Sequence, residues 1–150
     1  MTSGANRGCR ASSLEIAVIQ HATESREKIL AALALILPPP LMSAARAEER
    51  RIEGHYGNPI SYLRWRLEGE KACEVLEILA RALDEASRSL LRATARERVE
   101  GASTLHLRLH KHELGRGRAV LWEGDETVKI VARFRSRRAL DEFIERLSSV

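Results

Sequence analysis

Arginine and histidine are the side chains of this sequence best placed to do chemistry. In Thr104–His110, His106, Arg108 and His110 alternate with Leu105, Leu107 and Leu109. A period of two puts the cations and imidazoles on one side of a strand and the leucines on the other. Two more segments repeat the pattern. Tyr62, Arg64 and Arg66 oppose Leu63, Trp65 and Leu67, while Lys129, Val131, Arg133 and Arg135 oppose Val128, Ile130, Ala132 and Phe134. No acidic residue takes an outward position in these three segments, and Thr104–Arg138 carries nine Lys/Arg against four Asp/Glu. Cations gathered on one face neutralise phosphates and release their counterions, so this face suits a nucleic acid. The alternative is a merely solvated face, or one paired with acidic groups from the chain's tail or a second subunit.

Other constellations are weaker. His106 and His110 stand about 13 Å apart along a strand at about 3.3 Å per residue, too far to share a metal ion. His110 and His112 could chelate, but no third ligand stands nearby, so no metal is expected. Gly115-Arg116-Gly117 matches neither a Walker loop nor GxGxxG. It reads as a plain turn, or as a phosphate contact through its amides or Arg116. The loop Gly54-His55-Tyr56-Gly57-Asn58-Pro59 holds an imidazole and a phenol at a hairpin tip. His55 and Tyr56 form a stacking and hydrogen-bonding pair there, unless Tyr56 folds back on the sheet or the long helix. No GxSxG elbow or other nucleophile motif occurs. A small RNA-processing enzyme with His106 or His110 as general base is the catalytic alternative, and it lacks a visible partner constellation.

These residues need a framework to position them. Leu14, Ile16 and Val18 alternate as a strand. A helix follows with Thr23 as N-cap, Glu24 and Glu27 in its first turn and an apolar stripe from Ile29 to Leu37. Pro38-Pro39-Pro40 ends it. Leu41–Ala47 is a connector, and Glu48–Glu53 and Ile60–Leu67 are strands. Glu70–Asp84 is a strong helix that continues to about Arg96 with a break near Asp84–Ser87, and Gly101–Ser103 is a turn. Arg118–Trp122 and Thr127–Arg135 form a hairpin around residues 123–126, and Arg137–Leu147 is a final helix. The order β-α-β-β-α-β-β-β-α predicts an α+β fold: a single, largely antiparallel sheet with helices packed on one face. Residues 1–13 are expected to be a disordered tail and 14–150 one domain.

Composition agrees with this reading. The chain has 150 residues, 44% hydrophobic and 31% charged, enough for one well-buried core without disulfides or metal. The longest apolar run, Ile29–Leu37, is too short to span a membrane. The polar N-terminus lacks the apolar stretch of a signal peptide. Cys9 and Cys73 are far apart and in no CxxC pair. They read as a tail thiol and a core thiol in a reducing, cytoplasmic compartment. The net charge is +4, with 21 Arg to only 4 Lys. Arginine's planar fork suits phosphate and stacks on bases. Asn and Gln together number three, which suggests a heat-adapted source or a GC-rich genome.

Three strings carry a family resemblance: His21-Ala22-Thr23-Glu24, Glu53-Gly54-His55-Tyr56-Gly57-Asn58-Pro59-Ile60 and Leu107-Arg108-Leu109-His110-Lys111-His112. Over roughly Leu14 to Leu147 the chain resembles the archaeal RNA-binding proteins regarded as predicted exosome subunits. That family is related in fold to the 5S rRNA-binding ribosomal protein and to the double-stranded-RNA-binding layout. A glutamine commonly follows the lysine in that family, where His112 stands here. The resemblance implies a non-catalytic RNA-binding protein with no cofactor, an accessory factor in RNA processing or ribosome assembly, and possible exosome or ribosome-assembly partners. Lys111 joins Arg64, Arg66, His106, Arg108, His110, Lys129, Arg133, Arg135, His55, Tyr56 and Arg116 as candidate RNA contacts. Structured or double-stranded RNA is favoured, because Tyr62 is the one aromatic expected on the open face. A protein-interaction module, homodimeric or docked on a larger complex through the open sheet face, is the competing reading.

Overall fold

The computed structural model describes residues 9–150, apart from the side chain of His55. Six strands form one sheet, β1 (Ala11–Gln20), β2 (Arg46–Glu53), β3 (Pro59–Glu68), β4 (Val99–Glu100), β5 (Thr104–His110) and β6 (Thr127–Phe134), in the order β2-β3-β1-β6-β5-β4. All paired neighbours are antiparallel. The helices are α1 (Arg26–Leu33), α2 (Pro39–Ala44), α3 (Gly69–Ala82), α4 (Glu85–Thr94), α5 (Lys111–Gly115) and α6 (Arg137–Arg146). The fold is α+β, as the alternating strands and periodic helices predict.

The core lies between the sheet's inner face and the helices. Leu14, Ile16 and Val18 of β1, Leu63, Trp65 and Leu67 of β3, Leu105, Leu107 and Leu109 of β5, and Val128, Ile130, Ala132 and Phe134 of β6 are all buried. They meet Leu76 and Leu79 of α3, Leu91 of α4, and Leu140 and Phe143 of α6. Gly69 has φ +56, a left-handed conformation that lets β3 turn directly into α3. Asp84 then separates α3 from α4 and caps α4, its carboxylate accepting from the Ser87 amide at 2.8 Å.

Several expectations from the sequence are corrected. Residues 1–8 of the predicted tail lie outside the described residues, but 9–13 are ordered. Ala11–Ser13 belong to β1, Ser12 Oγ donates to the Arg133 carbonyl at 3.0 Å, and Arg10 pairs with Glu142 at 2.8 Å. Cys9 and Cys73 are not separate thiols. They form a disulfide with Cα atoms 5.9 Å apart, which ties the foot of β1 to α3. The bond removes free thiols as a reason for a reducing compartment, and intracellular proteins of hyperthermophiles are themselves disulfide-rich. Ser25, not Thr23, caps α1, since its hydroxyl accepts from the Lys28 amide. The three prolines do not set the end of α1, which stops at Leu33 and passes into turns through Leu37; Pro39 and Pro40 instead open α2, because proline suits the first turn, whose amides have no partner.

The predicted hairpin of Arg118–Trp122 with Thr127–Arg135 does not form. β6 pairs with β1 and β5, while residues 119–122 lie along the other side of β5. There Leu109 bridges Leu121 antiparallel, and the His110 and Trp122 amides donate to the Val120 and Arg108 carbonyls. Tertiary contacts decide this. β4 is only two residues long and leaves that flank of β5 open, and the buried Ser87 hydroxyl accepts from the Leu121 amide. Residues 123–126 therefore arch over the end of β5.

β2 is an edge strand exposed along its whole length and rich in charge. Arg26 grips Glu49 with both ends of its fork at 2.9 and 2.8 Å. That contact holds the Glu49 carboxyl down at about 2. Its dense charge disfavours pairing with the edge of another sheet.

Candidate nucleic-acid interface

The register places the outward residues in rows across the sheet. One row runs Glu48, Arg64, Ala17, Lys129, Arg108 from β2 to β5. A second runs Arg46, Arg66, Glu15, Val131, His106. Along the first row, Ala17 is small and buried between two long cations, so the centre of the face is a shallow trough floored by alanine.

The predicted cations divide by what they touch. Arg64 is bound to Glu48 on β2. Arg66 reaches Glu15 at 3.0 Å and Glu68 at 3.3 Å. Arg133 lies 3.6 Å from the same Glu15, beyond hydrogen-bond reach. His106 contacts Glu100 of β4 at 2.7 Å. Glu68 is two residues along β3 from Arg66, whereas Glu15, Glu48 and Glu100 come from neighbouring strands that periodicity could not place beside these cations. Such exposed ion pairs are worth about 0–1 kcal/mol each, so a phosphate can exchange with them at little cost.

Arg108 and Lys129 are different. They face each other in register on adjacent strands, and neither has a carboxylate partner among the described residues. An open groove beside them is lined by Ala17, Ile19, Tyr62 and Thr127, with Asp125 and Glu126 of the arch also on its wall. The Tyr62 ring carries Arg50, whose guanidinium carbon sits 5.6 Å from the ring centroid. Arg46 and Arg50 of β2 thus extend the basic face, although the sequence reading had not singled them out. Alternation within β2, once its pairing with β3 is known, is the signal that finds them. Arg135 follows β6 at the foot of the sheet, and its amide donates to the Arg10 carbonyl at 2.9 Å.

Two candidates serve the fold instead, and a third, Arg116, is exposed but stands at the end of α5 away from the sheet face. Lys111 is 7% exposed, and its ammonium donates to the Ile19 carbonyl at 2.6 Å and to Glu24 at 2.7 Å. It opens α5 rather than continuing β5, which turns its side chain into the protein and away from any phosphate. Burial pushes the Glu24 carboxyl up, but the His21 amide and the Lys111 ammonium outweigh that and hold it below its ordinary value. His110 caps α5, its Nδ1 accepting from the Glu113 amide at 3.1 Å. Arg116 pairs with Glu113 at 2.9 Å. The amides of Arg116 and Gly117 donate to the Glu113 and Leu114 carbonyls, so this Gly-containing bend closes a helix and offers no free amide to a phosphate. α5 packs against α1, away from the outward face.

At the β2–β3 tip the Gly54 amide donates to the Asn58 carbonyl at 2.7 Å, closing a compact loop. Tyr56 has φ 64 and is 99% exposed, so it does not fold back onto the sheet or the helix. Among the described residues, no group of three or more His, Cys, Asp or Glu could hold a metal ion, and no helix is long and apolar enough to cross a membrane.

A family model described as RNA binding matches residues 13–134, from β1 through the end of β6. The chain belongs to this RNA-binding family. It is similar to the RNA-binding protein PAB1135 of Pyrococcus abyssi, 28% identical over 123 residues that cover 81% of this chain and 80% of the relative. Protein MJ0213 of Methanocaldococcus jannaschii is 24% identical over 132 residues, 82% of this chain and 84% of that one. The crystal structure of SSO0741 from Sulfolobus solfataricus superposes with a TM-score of 0.79 at 28% identity, covering 91% of this chain and 98% of that chain. Mth689, a DUF54 protein from Methanothermobacter thermautotrophicus, shares the fold with a TM-score of 0.71 at 22% identity, over 92% and 98% of the two chains. The family's matched span contains Arg64, Arg66, His106, Arg108, Lys129 and Arg133 of the basic face and ends one residue before Arg135.

Proposed function

We propose that the protein is a non-catalytic, cytoplasmic RNA-binding factor that holds structured RNA on the outward face of its sheet and acts as an accessory in RNA processing or ribosome assembly. Exosome or ribosome-assembly components are the partners this reading favours. One observation carries the binding face. Arg108 and Lys129 lie directly opposite each other with no carboxylate between them. Like charges so placed oppose folding, and a phosphate relieves the repulsion. Arg64, Arg66, His106, Arg133 and Arg135 flank the pair, their weak surface ion pairs open to exchange.

A structured RNA hairpin should bind with log K falling against log[salt] at a slope of about −3 to −5, as expected for four to six phosphates. The double change Arg108→Ala and Lys129→Ala should make that slope shallower by about 2 and weaken all sequences alike, because phosphate contacts carry no sequence information. Its melting temperature should hold or rise. Binding and slope identical to wild type would move the interface off this face.

The hairpin tip supplies a second contact in this reading. Tyr56 is exposed beyond the same end of the sheet as the arch over β5. Changing His55 and Tyr56 together to Ala should leave the melting temperature nearly unchanged and cost about 1–3 kcal/mol of RNA affinity, the value of one stacked base. Unchanged affinity in a fully folded variant would remove the tip from the interface.

A further inference from the structure

The row of outward residues does not stop at Arg108. Leu121 bridges Leu109 and is buried with it on the inner face. Alternation therefore turns the next residue, Trp122, outward, and its amide donates to the Arg108 carbonyl at 3.0 Å. Lys129, Arg108 and Trp122 stand side by side on three adjacent backbone segments, each about 4.8 Å from the next.

The indole is both exposed and held. Trp122 is 43% exposed, an unusual state for the largest apolar side chain. Its Nε1 donates to the Asp125 carbonyl at 3.2 Å. The His110 ring meets it edge-on at 4.8 Å and 64°. The backbone of Gly124 lies so close that a Cβ there would stand 2.6 Å from Nε1. The arch closes through Glu126 at φ 58, whose carbonyl accepts from the Lys111 amide. This frame fixes the ring before any ligand arrives, so little side-chain freedom is lost on binding.

We propose that Trp122 is a stacking platform for an unpaired RNA base whose phosphate rests on Arg108 and Lys129, an assignment that builds on the RNA-binding reading above. The cations beside the indole select the occupant, because a nucleotide joins an aromatic face to an anion. The base must be unpaired. Within a duplex its faces are covered by neighbours, whereas bulged or looped bases offer a face to an aromatic side chain. The protein would then read a bulge or loop set in structured RNA, with the surrounding helix held by the rest of the basic face.

Intrinsic fluorescence tests this directly. Of the two tryptophans, Trp65 is buried in the core at 7% exposure, so RNA can reach only Trp122. The probes are an RNA hairpin with a single bulged nucleotide and the same hairpin without the bulge. The bulged hairpin should quench the emission and bind about ten-fold more tightly, within the range for one stacked base. Trp122→Ala should abolish that preference while leaving the bulge-free hairpin's affinity unchanged, and Trp122→Phe should keep part of it. Gly124→Ala displaces the indole without removing it and should also lose the preference, so the result does not depend on one variant's folding. If both hairpins bind equally, through Arg108 and Lys129 and without quenching, the stacking assignment is overturned and RNA binding stands. If neither hairpin binds at 50 mM salt, the RNA-binding reading itself fails and this assignment falls with it.

Discussion

Removing the Cys9–Cys73 bond should destabilise the protein by about 4 kcal/mol. The bond closes a loop spanning 64 positions of sequence. Loop-closure entropy taken from the unfolded chain then amounts to about 4 kcal/mol, within the 2–5 kcal/mol typical of a native disulfide. In a chain of this size that corresponds to roughly 10 °C in melting temperature. Thermal melts of the oxidised protein, the reduced protein and the double variant Cys9→Ser with Cys73→Ser make the comparison. Reduced protein and variant should agree. Their RNA affinity at low temperature should match wild type, because Cys73 lies on α3 on the opposite side of the sheet from the basic face. A shift below about 2 °C would mean that the hydrogen bonds of Arg10 and Ser12 hold the N-terminal segment without the cross-link.

Replacing Lys111 with Met should cost about 3 kcal/mol and leave the salt dependence of RNA binding untouched. The lysine ties the end of β1, the start of α1 and the start of α5 through Ile19 and Glu24. Removing one member of a buried ion pair strands the other, which typically costs 3–5 kcal/mol; Glu24, at 22% side-chain exposure, keeps some water and falls at the lower end. The pH dependence follows from the lowered Glu24 carboxyl. A carboxyl depressed in the folded state contributes stability that is fully present above its unfolded pKa, about 4.3, and is lost as pH falls through the folded value. The gap between wild type and Lys111→Met should therefore narrow as pH drops below about 5. Adding Glu24→Gln to Lys111→Met should recover most of the loss. A variant that melts like wild type but binds RNA more weakly, with a shallower salt slope, would return Lys111 to the interface.

Lys111 shows where reading along the chain stops. It continues the run Leu107-Arg108-Leu109-His110 and looks like one more basic residue beside a basic strand. The backbone instead turns into α5 at this point and carries the side chain inward. The arginines of β3 and the cations of β6 give the opposite lesson. Alternation alone assigned Arg64, Arg66, Lys129 and Arg133 to the outward face, because an antiparallel sheet with one buried side forces that period on each strand. Their partners could not be assigned the same way. Glu15, Glu48 and Glu100 reach these residues only through pairing between strands distant in sequence.

By itself, the sequence determined the α+β class, the inward leucines and valines, the break at Asp84 and the basic character of the outward face. All of these follow from periodicity and charge within short windows, where each residue's neighbours along the chain set its environment. Only the tertiary structure decided the Cys9–Cys73 bond, the burial of Lys111, the route of residues 119–122 beside β5 and the row of Lys129, Arg108 and Trp122. Each of those depends on which segments become neighbours across the sheet. That choice is made by the packing of the whole core and by the open flank that a two-residue β4 leaves on β5.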